Sequence, residues 1–127
     1  MKEKDIQRLF SRKNTRNGVF ELKLTKGKSI RFDALADHQE VALIGASSSV
    51  GCSHKISDFS LEQKPFDCFR IADYPAYVVV CFYVPRKLKR IYYVEIGEWI
   101  ELRKRLSPRR SAKEDEINEV CVDFMDL

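Results

Sequence analysis

The stretch Gly18-Val-Phe-Glu-Leu-Lys-Leu-Thr25 alternates apolar and polar side chains, as an extended chain with two unlike faces does. Phe20, Leu22 and Leu24 fall on one face; Glu21, Lys23 and Thr25 fall on the other. The pattern predicts a half-buried strand, and such a strand needs a sheet. The central strand of that sheet is read at Ala76-Tyr-Val-Val-Val-Cys-Phe-Tyr-Val84, a β-branched and aromatic run that suits burial on both faces. Helical spacings lie around the two, so the chain reads as α/β: a mixed central sheet with helices packed against it.

At 127 residues the chain can bury about two thirds of its unfolded surface, so residues 1–127 are expected to form one domain with its own core. Residues 111–127 are read as a tail or an edge strand. The four cysteines, Cys52, Cys68, Cys81 and Cys121, show no Cys-x-x-Cys spacing, and Cys68 and Cys81 lie in apolar runs where a thiol packs as a small hydrophobe. A reducing, cytoplasmic compartment is expected. Cys52 and His54 would need ligands gathered from distant positions to hold zinc, so no zinc site is expected. The charged start and the shortness of the longest apolar run argue against a signal peptide and a membrane span. Net charge is only +4, but its cations crowd into two segments, as contacts to a phosphate backbone require.

Along the chain, Ile6, Leu9 and Phe10 predict a first helix over residues 4–13, followed by a turn to Gly18. Lys26-Gly-Lys28 breaks the Glu21 strand at a basic tip, and Ser29 to Phe32 is extended. Asp33 is read as the N-cap of a helix running to about Ile44 and stopped by Gly45. On that helix Leu35, Gln39, Ala42 and Ala46 share a stripe, so Gln39 either reaches solvent at the stripe's edge or turns its amide towards the sheet. Residues 54–59 and 66–71 read as a hairpin-like pair. A second basic tip, Pro85-Arg-Lys-Leu-Lys-Arg90, leads into an antiparallel strand over 91–96. A helix over 98–106 then places Trp99, Leu102 and Leu106 on one side, and residues 120–124 suit an edge strand.

The chemistry begins at Glu21 and Lys23. A carboxylate and an ammonium two residues apart on one strand face stand together, an oxygen ligand beside a cation, which is what metal-assisted attack on a phosphodiester uses. A solvated strand face carries the same pair. The order Phe20-Glu-Leu-Lys23, Leu35-Ala-Asp-His-Gln39 with Ala42-Leu43, a glycine, a long apolar strand and a Tyr-Tyr partner strand resembles the PD-(D/E)xK nuclease fold. Within it the likeness is to Holliday junction resolvases, over about residues 18–100. The resemblance implies a restriction-endonuclease-like sheet, catalytic Glu21 and Lys23 with Gln39 beside them, Mg²⁺ or Mn²⁺ as cofactor, branched DNA as substrate, and a homodimer.

One part of that pattern is missing. The family's first acid precedes the Glu-x-Lys strand, whereas the only upstream aspartate here is Asp5, in the first helix. Lys64-Pro-Phe-Asp67 lies downstream, so the acid is read as migrated: residues 66–71 would lie antiparallel to the Glu21 strand and bring Asp67 to the metal, with Asp58 the competing candidate. Both also suit plain turn-flanking aspartates. Lys26, Lys28, Arg86, Lys87, Lys89 and Arg90 are expected to hold flanking phosphates, each of them equally at home in a solvated turn.

Overall fold

The computed structural model describes residues 2–57 and 63–127. Helix α1 (Glu3–Lys13) buries Ile6 and Phe10, one turn apart on its inner stripe. The following turn is held by Arg16, whose guanidinium lies over the rings of Tyr77 and Tyr93 at 5.6 and 5.4 Å. The Tyr93 hydroxyl donates to Asn14 Oδ1 at 2.8 Å, and the chain enters β1 (Val19–Thr25) from this clamp. After β2 (Ser29–Arg31) and one 3-10 turn (Phe32–Ala34) comes α2 (Asp37–Ser47). A local antiparallel hairpin follows, β3 (Cys52–Lys55) with β4 (Cys68–Ile71). The chain then forms β5 (Ala76–Phe82), β6 (Arg90–Glu95), α3 (Ile96–Leu106), β7 (Ser111–Lys113), α4 (Glu114–Val120) and β8 (Asp123–Asp126).

The central sheet has the order β1-β5-β6-β8. β1 runs parallel to β5, Glu21 opposite Val78 and Lys23 opposite Val80, while β6 and β8 follow antiparallel. A parallel pair needs a crossover, and α2 supplies it. Every residue of β5 is buried, as its composition predicts, because both faces of the sheet are covered. Val78 and Val80 pack with Leu43, Tyr92, Val94 and Trp99 on the side of α2, α3 and α4. Tyr77, Val79 and Cys81 pack with Leu22, Ile91 and Tyr93 beneath Ile6 and Phe10 of α1. The protein is thus a mixed sheet flanked by helices. Since Phe20, Leu22 and Leu24 join the α1 layer, the strand's alternation turns Glu21 and Lys23 to the α2 side.

Several elements differ from the reading of the sequence. Asp33 does not cap α2; its carboxylate is taken by Arg31 at 3.0 and 2.8 Å, and Ala36 stands at the N-cap. Gly45 does not stop the helix, because backbone bonding carries through to Ser47. Cys68 is exposed rather than packed. The last residues hold a helix that charge alone concealed: α4 carries its acids in its first turn, where the helix dipole favours them, and buries Ile117. β8 closes the sheet as an edge strand, pinned where Arg90 meets Asp126 at 2.7 Å. Among the described residues no helix is long and apolar enough to cross a membrane.

Burial, with a 2.6 Å hydrogen bond donated to Glu114, pushes the Tyr92 hydroxyl up from its ordinary 10.0 to about 12. A group whose folded pKa is raised contributes stability in full below the unfolded value and loses it as pH climbs through the folded value. The unfolding free energy should therefore fall between pH 10 and about 12. Tyr92→Phe should flatten this part of the urea-unfolding profile; an identical slope in both proteins would contradict the assignment.

Candidate active site

Glu21 lies midway along β1, on the sheet face that α2 crosses. Gln39, in the first turn of α2, donates from Nε2 to Glu21 Oε1 at 3.0 Å. Lys23 Nζ lies 3.2 Å from the same oxygen. Two donors from two elements thus converge on one carboxylate atom. The Lys23 side chain is 11% exposed and that of Glu21 28%, so the cation is nearly enclosed while the carboxylate keeps a path to water. Of the two readings open for Gln39, the structure shows the amide turned to the sheet. The same amide works at both ends, since Gln39 Oε1 accepts the Ala36 backbone N–H at 3.0 Å and satisfies a donor that the helix start leaves free. Glutamine three residues past the N-cap is the spacing that could have revealed the true helix start in the sequence.

Asp67 is not brought to Glu21 by strand pairing. β4 bonds to β3 and not to β1, since the two short strands close on each other locally with Cys52 opposite Ile71. A local hairpin closes at less entropic cost than a pairing with β1 across the intervening helix. The Asp67 carboxylate is 91% exposed, 3.4 Å from Lys64 Nζ. Asp58 lies outside the described residues. Among the described residues no group of three or more His, Cys, Asp and Glu side chains is placed to hold a metal ion.

Among the described residues the outer edge of β1 carries no strand. Instead α1 lies along it: Glu3 Oε2 accepts the Leu24 N–H at 3.1 Å, and Gln7, Phe10 and Ser11 face Phe20, Glu21 and Leu22 across a hollow of about 350 Å³. At the N-terminal end of α2 a larger cleft, about 740 Å³, is lined by Phe32, Leu35 and Asp37 together with Arg103, Arg109 and Arg110. Two of these arginines are engaged, Arg103 with Glu40 at 2.5 Å and Arg109 with Glu116.

Both basic tips lie at the end of the sheet where β1 and β5 finish, linked by the Tyr83 N–H donating to the Thr25 carbonyl at 2.8 Å. Lys26, Lys28, Arg86 and Lys87 are exposed. Among the described residues none of the four makes an ion pair. Lys89 lies 5.7 Å from the centre of the Tyr83 ring. Arg90 is committed elsewhere, held by Asp126 through two nitrogens and stacked 4.1 Å over Phe124.

No family model, curated protein or solved structure matches the chain.

Gln39→Ala removes both the helix-start acceptor and the donor to Glu21, and should lower the unfolding free energy by about 1–2 kcal/mol. Urea unfolding measures it. A stability equal to that of the unaltered protein would mean that neither bond forms in solution.

Proposed function

We propose that this protein is a metal-dependent endonuclease of the restriction-endonuclease-like fold, hydrolysing phosphodiester bonds in DNA, with branched DNA the preferred substrate. The observation that supports it is the convergence of Gln39 and Lys23 on Glu21 Oε1, at 3.0 and 3.2 Å, on a strand whose parallel neighbour is the buried centre of the sheet. The donor chemistry suits Mg²⁺ or Mn²⁺ in kind, since a carboxylate oxygen is a hard ligand and that of Glu21 keeps access to water. Glu21 supplies one carboxylate, and we assign the second to Asp58 or Asp67, both on the connection between β3 and β4. When bound, such an ion supplies an activated water and neutralises charge at the phosphate.

The chain's own side chains prepare that event. Gln39 fixes the rotamer of Glu21, so the carboxylate is ordered before any ligand arrives. Lys23 holds a cation in a partly dewatered position, where it offsets negative charge developing on the scissile phosphate more effectively than it could in bulk water. Lys26, Lys28, Arg86 and Lys87 hold the flanking backbone without regard to sequence. A homodimer would present two such sites to a substrate with two-fold symmetry.

A second reading is a nucleic-acid-binding module that does not cut, favoured by the exposed cations Lys26, Lys28, Arg86 and Lys87, which attract phosphates without any metal. Cleavage separates the two. With Mg²⁺ the unaltered protein should nick a four-way junction in preference to its linear arms. Glu21→Gln and Lys23→Ala should each lower the rate by at least about 10²-fold while binding persists. One of Asp58→Asn and Asp67→Asn should match that loss. Turnover by Glu21→Gln at the unaltered rate would remove the nuclease reading, and equal cutting of linear duplex would remove the preference for branches. Replacing Lys26 and Lys28 by Gln should reduce the salt-dependence slope of binding by about one unit per lost phosphate contact. An unchanged slope would make both residues ordinary solvated lysines.

A further inference from the structure

The turn between β5 and β6 carries apolar side chains that the core does not use. Leu88 is 69% exposed and Val84 44%. The backbone holding them is tight: the Lys87 N–H donates to the Val84 carbonyl at 3.2 Å, and Arg86 has φ 65°, a left-handed conformation that costs energy for a residue with a side chain. Arg86, Lys87 and Lys89 flank Leu88 in the chain, and Lys26 and Lys28 occupy the adjoining turn. No acidic residue occurs from Ala76 to Ile91, nor from Lys26 to Lys28. β1 delivers Lys23 towards this same end of the sheet, two residues before Thr25.

A phosphate-binding turn needs cations and nothing apolar. An exposed leucine set among uncompensated cations suits a different contact, in which the cations hold the backbone and the apolar side chain enters between bases. Such wedges unstack a base step at a cost of a few kcal/mol, offset by the contacts that the kinked nucleic acid then makes. The cost is least where stacking is already interrupted, as at a branch.

We propose that Leu88 is a wedge that enters the base stack of DNA beside the branch while Arg86, Lys87, Lys26 and Lys28 hold the adjoining phosphates. The proposal rests on the nucleic-acid reading above and adds how a branch is engaged. Leu88 lies outside the core, so its replacement leaves the fold intact.

The test uses the full chain carrying Glu21→Gln, which binds without cutting, and a four-way junction with 2-aminopurine next to the branch. At saturating protein the fluorescence of 2-aminopurine should rise as its base unstacks. The rise should be lost when Leu88→Ser is added and kept when Leu88→Met is added. Saturable binding with no rise, or a rise that Leu88→Ser leaves unchanged, overturns the wedge alone. Absence of any DNA binding overturns the nucleic-acid reading together with it. If vesicles of anionic phospholipid bind the protein through Leu88 and displace the junction, the tip is a membrane contact and the wedge is overturned.

Discussion

The burial of β5 on both faces is the constraint from which the rest of this fold follows. Its seven residues are all enclosed, and each buried valine contributes about 1.5–3 kcal/mol relative to an exposed one. Neither face can be left to water, so helices must cover both. α1 takes one face, with α2, α3 and α4 on the other. The parallel pairing with β1 adds a second requirement, because the chain must cross over between the two strands, and the crossover helix is the one that carries Gln39.

That arrangement explains how three polar side chains tolerate the apolar layer. Glu21 and Lys23 lie opposite Val78 and Val80, on the face that the larger core cluster covers. In the middle of the sheet an ion pair there would lose its hydration on every side, and its mutual attraction would scarcely offset the loss. At the edge strand the carboxylate keeps contact with water, and the Gln39 amide supplies the hydrogen bond that burial removes. The same amide closes the helix start at Ala36, so the placement of the carboxylate and the beginning of the crossover helix are one structural event.

What the sequence made legible follows the strength of its periodic signals. The alternation of residues 18–25 and the apolar run from Ala76 correctly placed β1 and β5, whereas the stripe drawn through Gln39 left its amide open between solvent and sheet and was misplaced at Ala42, which is exposed while α2 buries Leu43 and Ala46. Where the signal was a single residue, competition decided otherwise. Asp33 had the chemistry of an N-cap, but Arg31 two residues away offered its carboxylate two charge-assisted bonds. The acids of α4 read as a polar tail because a seven-residue helix shows too little of its period, with Ile117 alone buried. The hairpin of β4 with β3 was legible in the sequence, but the further pairing of β4 with β1 was misjudged, because a strand edge takes a partner only where no other element already covers it. The hairpin with β3 needed only a local loop, whereas the edge of β1 was already lined by α1.

The cations show the same division between what composition states and what geometry selects. Six residues in two basic segments looked equivalent in the sequence. Arg90 proves to be structural, its guanidinium shared between Asp126 and the face of Phe124, where it fastens the edge strand β8 to β6. Lys89 lies by the Tyr83 ring. The remaining four project from turns at one end of the sheet with no acid in either segment, so a modest net charge of +4 becomes a concentrated local potential. Attraction of a polyanion depends on that local density and not on the sum over the chain. Because β1 runs towards this end, the potential lies beside the strand on which Glu21 and Lys23 stand. A backbone captured by the turns would thus begin its approach next to the candidate site.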